Sequence, residues 1–406
     1  MMNILRQGIV TSGLIGMLWA LIVATTVAVT LSFASGLSFR PSLWSCLLLG
    51  FLLGLLAMLW KKPALLLFAV SGALGTFALF TPLSPVIIDD VASQGQRVMT
   101  GLLFAAGMII PLHKMMTEVT HGPLTRHAFE DAVIRFLTGF GYIVFTAIVL
   151  IPFYVMVMTS LKSQQALLQN PLDFSVDFSR GWDLLNSYIE LFSQFNFGSY
   201  LWTSFYVSVF TVIITLIFSI PGAYAVARLN FKGRAAFSRS ILLIYMVPMI
   251  VLALPIYIGY SMTGLRNTIT GIILIYPVTT IPVALYMLQG YFRGLPVEVE
   301  EAGLMDGLTR LQVIWKITLP LALPAMVSVS LYVFMIAWNE FLLAFMLLDD
   351  PAKFTLTRGV TMLNSSEIPR QHLMAGAVIA TIPIMVLFLG MERFMTKGLT
   401  AGSVKG

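Results

Sequence analysis

The stretch EVEEAGLMDGLTRLQVIWKITLP, Glu298 to Pro320, interrupts a chain that is otherwise almost oil. Of 406 residues, 58% are hydrophobic and only 10% charged, yet Glu298, Glu300, Glu301 and Asp306 fall within nine positions. Apolar runs flank the stretch on both sides, near 269–289 and 322–347. Runs of about 20 apolar residues are what a helix needs to cross the hydrocarbon of a bilayer. The acids therefore sit in a short polar connection between two predicted spans.

The same pattern extends over the whole chain. Further runs lie near 8–33, 43–60, 64–82, 98–112, 135–158, 201–226, 240–260 and 373–391. This predicts ten crossings, or nine if the short run 98–112 is interfacial or re-entrant. A soluble chain of this length carries about a quarter charged residues, so a globular core is excluded. Continuous rather than alternating apolar runs select helices over a barrel. The fold class is all-α integral membrane. Residues 8–33 are too long for a cleaved signal and read as a retained span.

The net charge of +6 is dispersed between the spans, which gives no basic face for nucleic acid. Cys46 is alone, so no intrachain disulfide is expected. His113, His121, His127 and His372 lack HExxH spacing and cysteine companions, so no metal site is expected. With the N-terminus inside, sixteen of the 24 Lys and Arg fall on the cytoplasmic side, which favours an even number of crossings and two cytoplasmic termini. The polar residues 113–133 divide residues 1–125, about four spans, from residues 126–406, six spans. Two outer segments stand out, 161–200 and 349–372, the second long enough to fold over the mouth of a pathway.

Within the opening stretch, Pro296 suits a first helical turn and the acids favour the positive end of the helix dipole. Asp306-Gly307 supplies a break, and a second short helix is predicted from Leu308 to about Ile317, stopped by Pro320. If the helical phase carries through the break, Leu304, Leu308, Leu311 and Trp315 form one greasy side, and Gly303 with Gly307 another without side chains. Two readings fit: a knob that inserts into a partner, or an amphipathic loop lying on lipid. Interfacial helices usually carry Lys and Arg toward anionic lipid, and the four acids argue against that role.

EAGLMDGLTRLQVIWKITLP resembles the EAA motif of ATP-binding cassette importer permeases. Glu301, Ala302, Asp306, Gly307, Ile317, Leu319 and Pro320 match it at the family's spacing, whereas Gly303 and Leu308 stand where the family prefers Ala, and Ile314 takes a position often Phe. AYAVARLNFKGR (223–234), AWNEFLLAFMLL (337–348) and GLTAGSVKG (398–406) are similar to the MalG-type permeases of the carbohydrate branch. The resemblance covers nearly all of residues 126–406 and says nothing of the first four spans.

It implies a six-helix type I (MetI-like) permease core in a bacterial inner membrane, with about four extra transmembrane helices ahead of it. The loop at about 290–321 would be a coupling segment whose acids dock on an ATP-binding subunit. Glu301, Ala302, Gly303, Asp306, Gly307, Ile317, Leu319 and Pro320 are the implied coupling residues, Glu301 pairing with a base of the ATPase. Asp306 either docks or only caps a turn. The tail residues Gly398, Leu399, Thr400, Ala401 and Gly402 would reach the ATPase dimer, or form a frayed end.

Implied partners are a second permease, identical or different, two ATP-binding subunits, an external solute-binding protein and membrane lipid. The chain itself needs no cofactor, and ATP and Mg belong to the partners, since no GxxxxGK[ST] occurs. The chain is therefore not expected to be an enzyme. The implied solute is a sugar or oligosaccharide; the alternatives are a sulfonated or phosphorylated sugar, glycerol phosphate or a polyol. Readings from other classes are a membrane-embedded enzyme, which needs a cluster of intramembrane acids or histidines, and a secondary transporter.

Glu340 and Asn339 are candidates for facing the pathway or the partner permease, although Glu340 can equally snorkel to the outer interface. Pro248, Pro255, Pro277 and Pro282 mark two spans either as translocation wall or as simply kinked. Tyr245, Tyr257 and Tyr276 there can stack on a sugar or only pack. Trp338 fits an interfacial belt. The first four spans can brace a partner, bind lipid or stabilise the core.

Overall fold

The computed structural model describes residues 6–59, 81, 83–171, 173–364 and 368–400. The chain forms two compact units, Met1–Leu184 and Leu185–Gly406. They part well after residue 125, because the helix that begins at Arg126 packs with the first unit.

In the first unit, α1 (Gly8–Ser35) and α2 (Leu43–Leu59) touch backbone to backbone. A Cβ on Gly16 would lie 2.2 Å from the Gly50 carbonyl oxygen, and one on Gly54 2.2 Å from that of Ser12. Lipid offers no hydrophobic drive for helix pairing, so close packing through small residues supplies it. Gly54→Leu is expected to cost about 1–3 kcal/mol by overpacking, read as a lower Tm of the purified protein.

Strands β1 (Phe39–Pro41) and β2 (Val86–Ile88) pair antiparallel, with Phe39 opposite Ile88. The run expected at 98–112 extends into α3 (Gln94–Met115), 22 residues, because Ser93 and Gln96 form a capping box and draw the polar QGQR into the first turns. Pro111 inside α3 has no N–H for the Gly107 carbonyl. The indole of Trp19 on α1 donates to that carbonyl at 2.9 Å, satisfying a group that lipid could not. α4 (Arg126–Ser160) is capped by Thr125 and, at 35 residues, is roughly 50 Å long. The run 64–82 falls almost entirely outside the described residues.

Between α4 and the short α5 (Gln164–Gln169), Lys162 reaches across α5 to the Asp173 carboxylate at 2.9 Å. Partial burial works to raise the Asp173 carboxyl, but the Ser175 hydroxyl and amide and the Lys162 ammonium outweigh it and hold the group below its ordinary value. A depressed folded-state pKa stabilises above the ordinary carboxylate range, and this contribution is lost as pH falls through the depressed value. Protease nicking between 163 and 177 is accordingly expected to rise at acid pH, and to be raised already at neutral pH in Asp173→Asn.

The second unit runs α6 (Asn186–Gln194), α7 (Phe197–Arg228), α8 (Arg234–Tyr245), α9 (Met249–Thr263), α10 (Ile269–Gly294), α11 (Val297–Met305) and α12 (Arg310–Val313). It continues through a π turn (Ile314–Thr318) to α13 (Leu319–Asn339), α14 (Leu342–Leu347), α15 (Leu356–Met362) and α16 (Arg370–Thr400). The centre is the α7–α10 pair, whose buried Thr215 and Thr280 hydroxyls meet at 2.6 Å. α13 packs on both helices, and α16 on α13.

Two expected spans are not single helices. The run 240–260 breaks into α8 and α9, since Pro248 cannot donate to the preceding turn and instead sits at the N-cap of α9. The run 322–347 stops at Asn339, where Glu340 turns extended (φ −66°, ψ 125°) before α14. Pro320, expected to stop a helix, does not: the π turn just before it relaxes the ladder, and the helix continues from Arg310 to Asn339. Among the described residues, seven helices are long and apolar enough to cross a membrane, while α2 and α9 are apolar but shorter. The protein is an all-α, multi-pass membrane protein.

Candidate functional site

The acid-rich stretch folds into a helical hairpin, α11 then α12. Glu298 and Glu300 occupy the first turn of α11, where the dipole favours them. The end of α11 is a Schellman turn: the Gly307 amide donates to Leu304, the Leu308 amide to Gly303, both at 3.1 Å, and Gly307 has φ +85°. Asp306 is the C-cap. Thr309 then caps α12 in a reciprocal box with Gln312.

The left-handed Gly307 resets the helical phase, so the four-residue greasy side expected from sequence divides. Leu304 and Leu308 turn half inward, while Leu311 and Trp315 stay 69% and 70% exposed. Gly303 does not offer open backbone to a partner. It is buried, and a Cβ there would meet Ile317 Cδ1 at 2.5 Å, so Gly303 and Ile317 close the hairpin on itself. Leu319 packs in the core with α7 and α10, and Pro320 opens α13. The outward face carries Glu298, Glu301, Ala302, Asp306, Met305, Leu311 and Trp315, all exposed.

Glu300 is the exception among the four acids. It is 4% exposed and faces the body of the protein. Its carboxylate accepts from the Tyr224 and Thr318 hydroxyls, each at 3.1 Å, and lies 3.4 Å from Arg228 Nε. Arg228 also donates to the Leu295 carbonyl at 2.6 Å. One carboxylate thus joins the end of α7, the hairpin and the base of α13. Reading all four acids as docking groups was wrong for Glu300, because spacing gives the face of a helix and not what lies behind it. Tyr224, Arg228 and Thr318 were missed as its partners. Arg228 and Tyr224 lie within AYAVARLNFKGR, where Arg234 further caps the end of α7 through the Val226 and Ala227 carbonyls at 2.7 and 2.8 Å.

The pathway candidates are scattered. Glu340 is half-buried, and its oxygens accept the Leu343 and Ala344 amides at 2.8 and 3.1 Å, capping α14. Asn339 is exposed and donates to its own helix at Met335. Tyr276 is buried in the core, and Tyr257 is half-buried beneath the Arg266 guanidinium at 4.8 Å. The Tyr245 side chain lies outside the described residues. Trp338, expected at an interface, is buried and donates to Ala380 at 3.1 Å. The backbone of α16 reaches Thr400, while Ala401 and Gly402 lie outside the described residues.

The segment after α14 is pinned at its start. Arg266 meets Asp349 at 2.5 Å, and the Asn267 side chain accepts the Asp349 and Asp350 amides at 3.1 and 3.0 Å. The Leu356 amide donates to Ser204 at 2.6 Å, anchoring α15 on α7.

Residues 219–400 match the family described as binding-protein-dependent transport system inner membrane component. The chain is 37% identical over 270 residues to the inner membrane ABC transporter permease protein YcjP of Escherichia coli K12, covering 66% of this chain and 95% of that protein. It is 32% identical to the trehalose/maltose transport system permease protein MalG of Thermococcus litoralis (68% and 99% covered). It is likewise 32% identical to the arabinooligosaccharides transport system permease protein AraQ of Halalkalibacterium halodurans (66% and 95%). In fold it is similar to a chain of a bacterial ABC transporter involved in import of the acidic polysaccharide alginate, with TM-score 0.56 and 24% identity over 66% of this chain and 98% of that one.

Proposed function

Since the chain belongs to the binding-protein-dependent inner membrane permeases of ABC importers, we propose that it forms half of the translocation pathway of a sugar or oligosaccharide importer. A second permease supplies the other half, two separate subunits hydrolyse ATP, and an external binding protein delivers the solute. The membrane is the bacterial inner membrane, with both termini and the α11–α12 hairpin in the cytoplasm. The relatives named for trehalose, maltose and arabinooligosaccharides support the substrate class.

The observation that carries the mechanism is the hairpin's construction. An acidic and apolar outer face, with Met305 88% exposed, is backed by the buried Glu300–Arg228 tie. The outer face docks on the ATPase. Closure of the ATP-bound dimer moves the hairpin, and the tie carries that displacement to α7 and α13, opening the cavity to the other side. The long outer segment 349–372 receives the binding protein. No hydrolytic chemistry is assigned to this chain.

Cys46 is the sole cysteine and is buried, so Met305→Cys supplies one reactive thiol. A membrane-impermeant maleimide is expected to label it in inside-out vesicles stripped of ATPase, to be blocked when the ATPase is bound, and to leave intact spheroplasts unlabelled. Labelling in spheroplasts would overturn the orientation; labelling undiminished by the ATPase would overturn the docking.

A further inference from the structure

The first unit holds a groove for which transport provides no use. α1, α3 and α4 line an open groove of about 830 Å³, and a second of about 490 Å³ follows between α1 and α4. Val27, Leu103, Ala106, Ile110, Tyr142 and Ile143 line the larger one. Thr26, Thr30 and Thr138 line it too, but each hydroxyl already donates to a carbonyl of its own helix at 2.8 Å. The wall therefore offers hydrocarbon and few free polar groups, unsuited to a hydroxylated solute, whose groups would lose their hydrogen bonds there. The floor is built: Trp19, held by the Gly107 carbonyl that Pro111 leaves open, lies against Gly139, where a Cβ would come within 3.0 Å of its ring.

One end of the groove is charged. Arg135 is engaged by Asp131 at 2.8 Å, more loosely by Glu118 at 3.8 Å, and by the Lys114 carbonyl at 2.7 Å. Lys114 is exposed, lines the cavity, and has no ion pair among the described residues. An 18-residue helix about 10 Å across would occupy on the order of 2000 Å³, more than the two cavities offer, whereas flexible chains fit a narrow groove.

We propose that this groove holds the acyl chains of an anionic phospholipid whose phosphate meets Lys114. A cation at the edge of an apolar wall is the arrangement that juxtamembrane lysines use toward acidic headgroups. The lipid fills the wedge between α4 and the other two helices, which their own side chains leave open. The inference stands apart from the coupling role of the hairpin, and its failure would leave that reading untouched.

The test counts phospholipids retained by the full-length chain in its purified complex, by native mass spectrometry after exchange into phosphatidylglycerol or phosphatidylcholine. Phosphatidylglycerol is expected to be retained at least fivefold more than phosphatidylcholine. Lys114→Gln is expected to bring the two near parity, and Ala106→Trp, which fills the groove, to remove both. Should Ala106→Trp fail to fold, Thr138→Phe narrows the same groove from the exposed side of α4. Equal retention of the two lipids by the wild type, retention unchanged in the filled variants, or a Thr138→Cys cross-link to polypeptide instead of lipid would each overturn the proposal.

Discussion

Glu300→Ala is expected to lower the stability of the permease by about 3–5 kcal/mol and to abolish solute-stimulated ATP hydrolysis in the reconstituted transporter. The magnitude follows from what remains: the Arg228 guanidinium, with its side chain only 7% exposed, would stay buried without its counter-charge. The Tyr224 and Thr318 hydroxyls would lose their acceptor as well. A double replacement separates stability from coupling. Arg228→Met with Glu300→Leu removes both charges and keeps the volume, an exchange that is often neutral or stabilising for buried pairs. Its Tm is expected to return toward that of the wild type while stimulation stays lost, since apolar packing does not fix the hairpin's direction as one carboxylate with three partners does. If the double variant recovers full stimulation, the tie serves stability alone and the transmission role is lost.

Its sequence neighbour should behave in the opposite way. Glu301→Arg alters an exposed side chain, so stability is expected to stay within about 0.5 kcal/mol. Opposing a charge at a docked interface costs about 2–5 kcal/mol, which is roughly a 30- to 4000-fold loss of affinity. Co-purification of the ATPase subunit and solute-stimulated hydrolysis should fall together, with Tm unmoved. Wild-type co-purification and stimulation in this variant would remove the outer face as the docking surface. The two adjacent glutamates thus form an internal control: one variant melts early, the other only loses its partner.

Much of this molecule was legible without coordinates because lipid is an unforgiving solvent. A backbone that cannot hydrogen-bond to its surroundings must be helical, so apolar run length alone predicted α1, α4, α7, α10 and α16, whereas the short run within α3 left a crossing open. Gly307 was legible for a related reason, since few residues tolerate the left-handed turn that ends α11. Prolines were harder. Pro248 did break its helix, but Pro320 did not, because a π turn absorbs it, and nothing in the local sequence distinguishes the two.

What the residues determined by themselves was the membrane-spanning helical class and the position of the acid-rich hairpin; the permease family came from that stretch's resemblance to the EAA motif. Tertiary structure alone decided what each residue faces: in the hairpin, Glu300 inward to Arg228, Glu301 outward and Gly303 against Ile317, and beyond α13, Glu340 onto the amides of α14. The physical reason is that burial depends on what packs behind a helix. The partner that makes a buried carboxylate stable lies more than seventy residues away in the chain, beyond the reach of any local pattern.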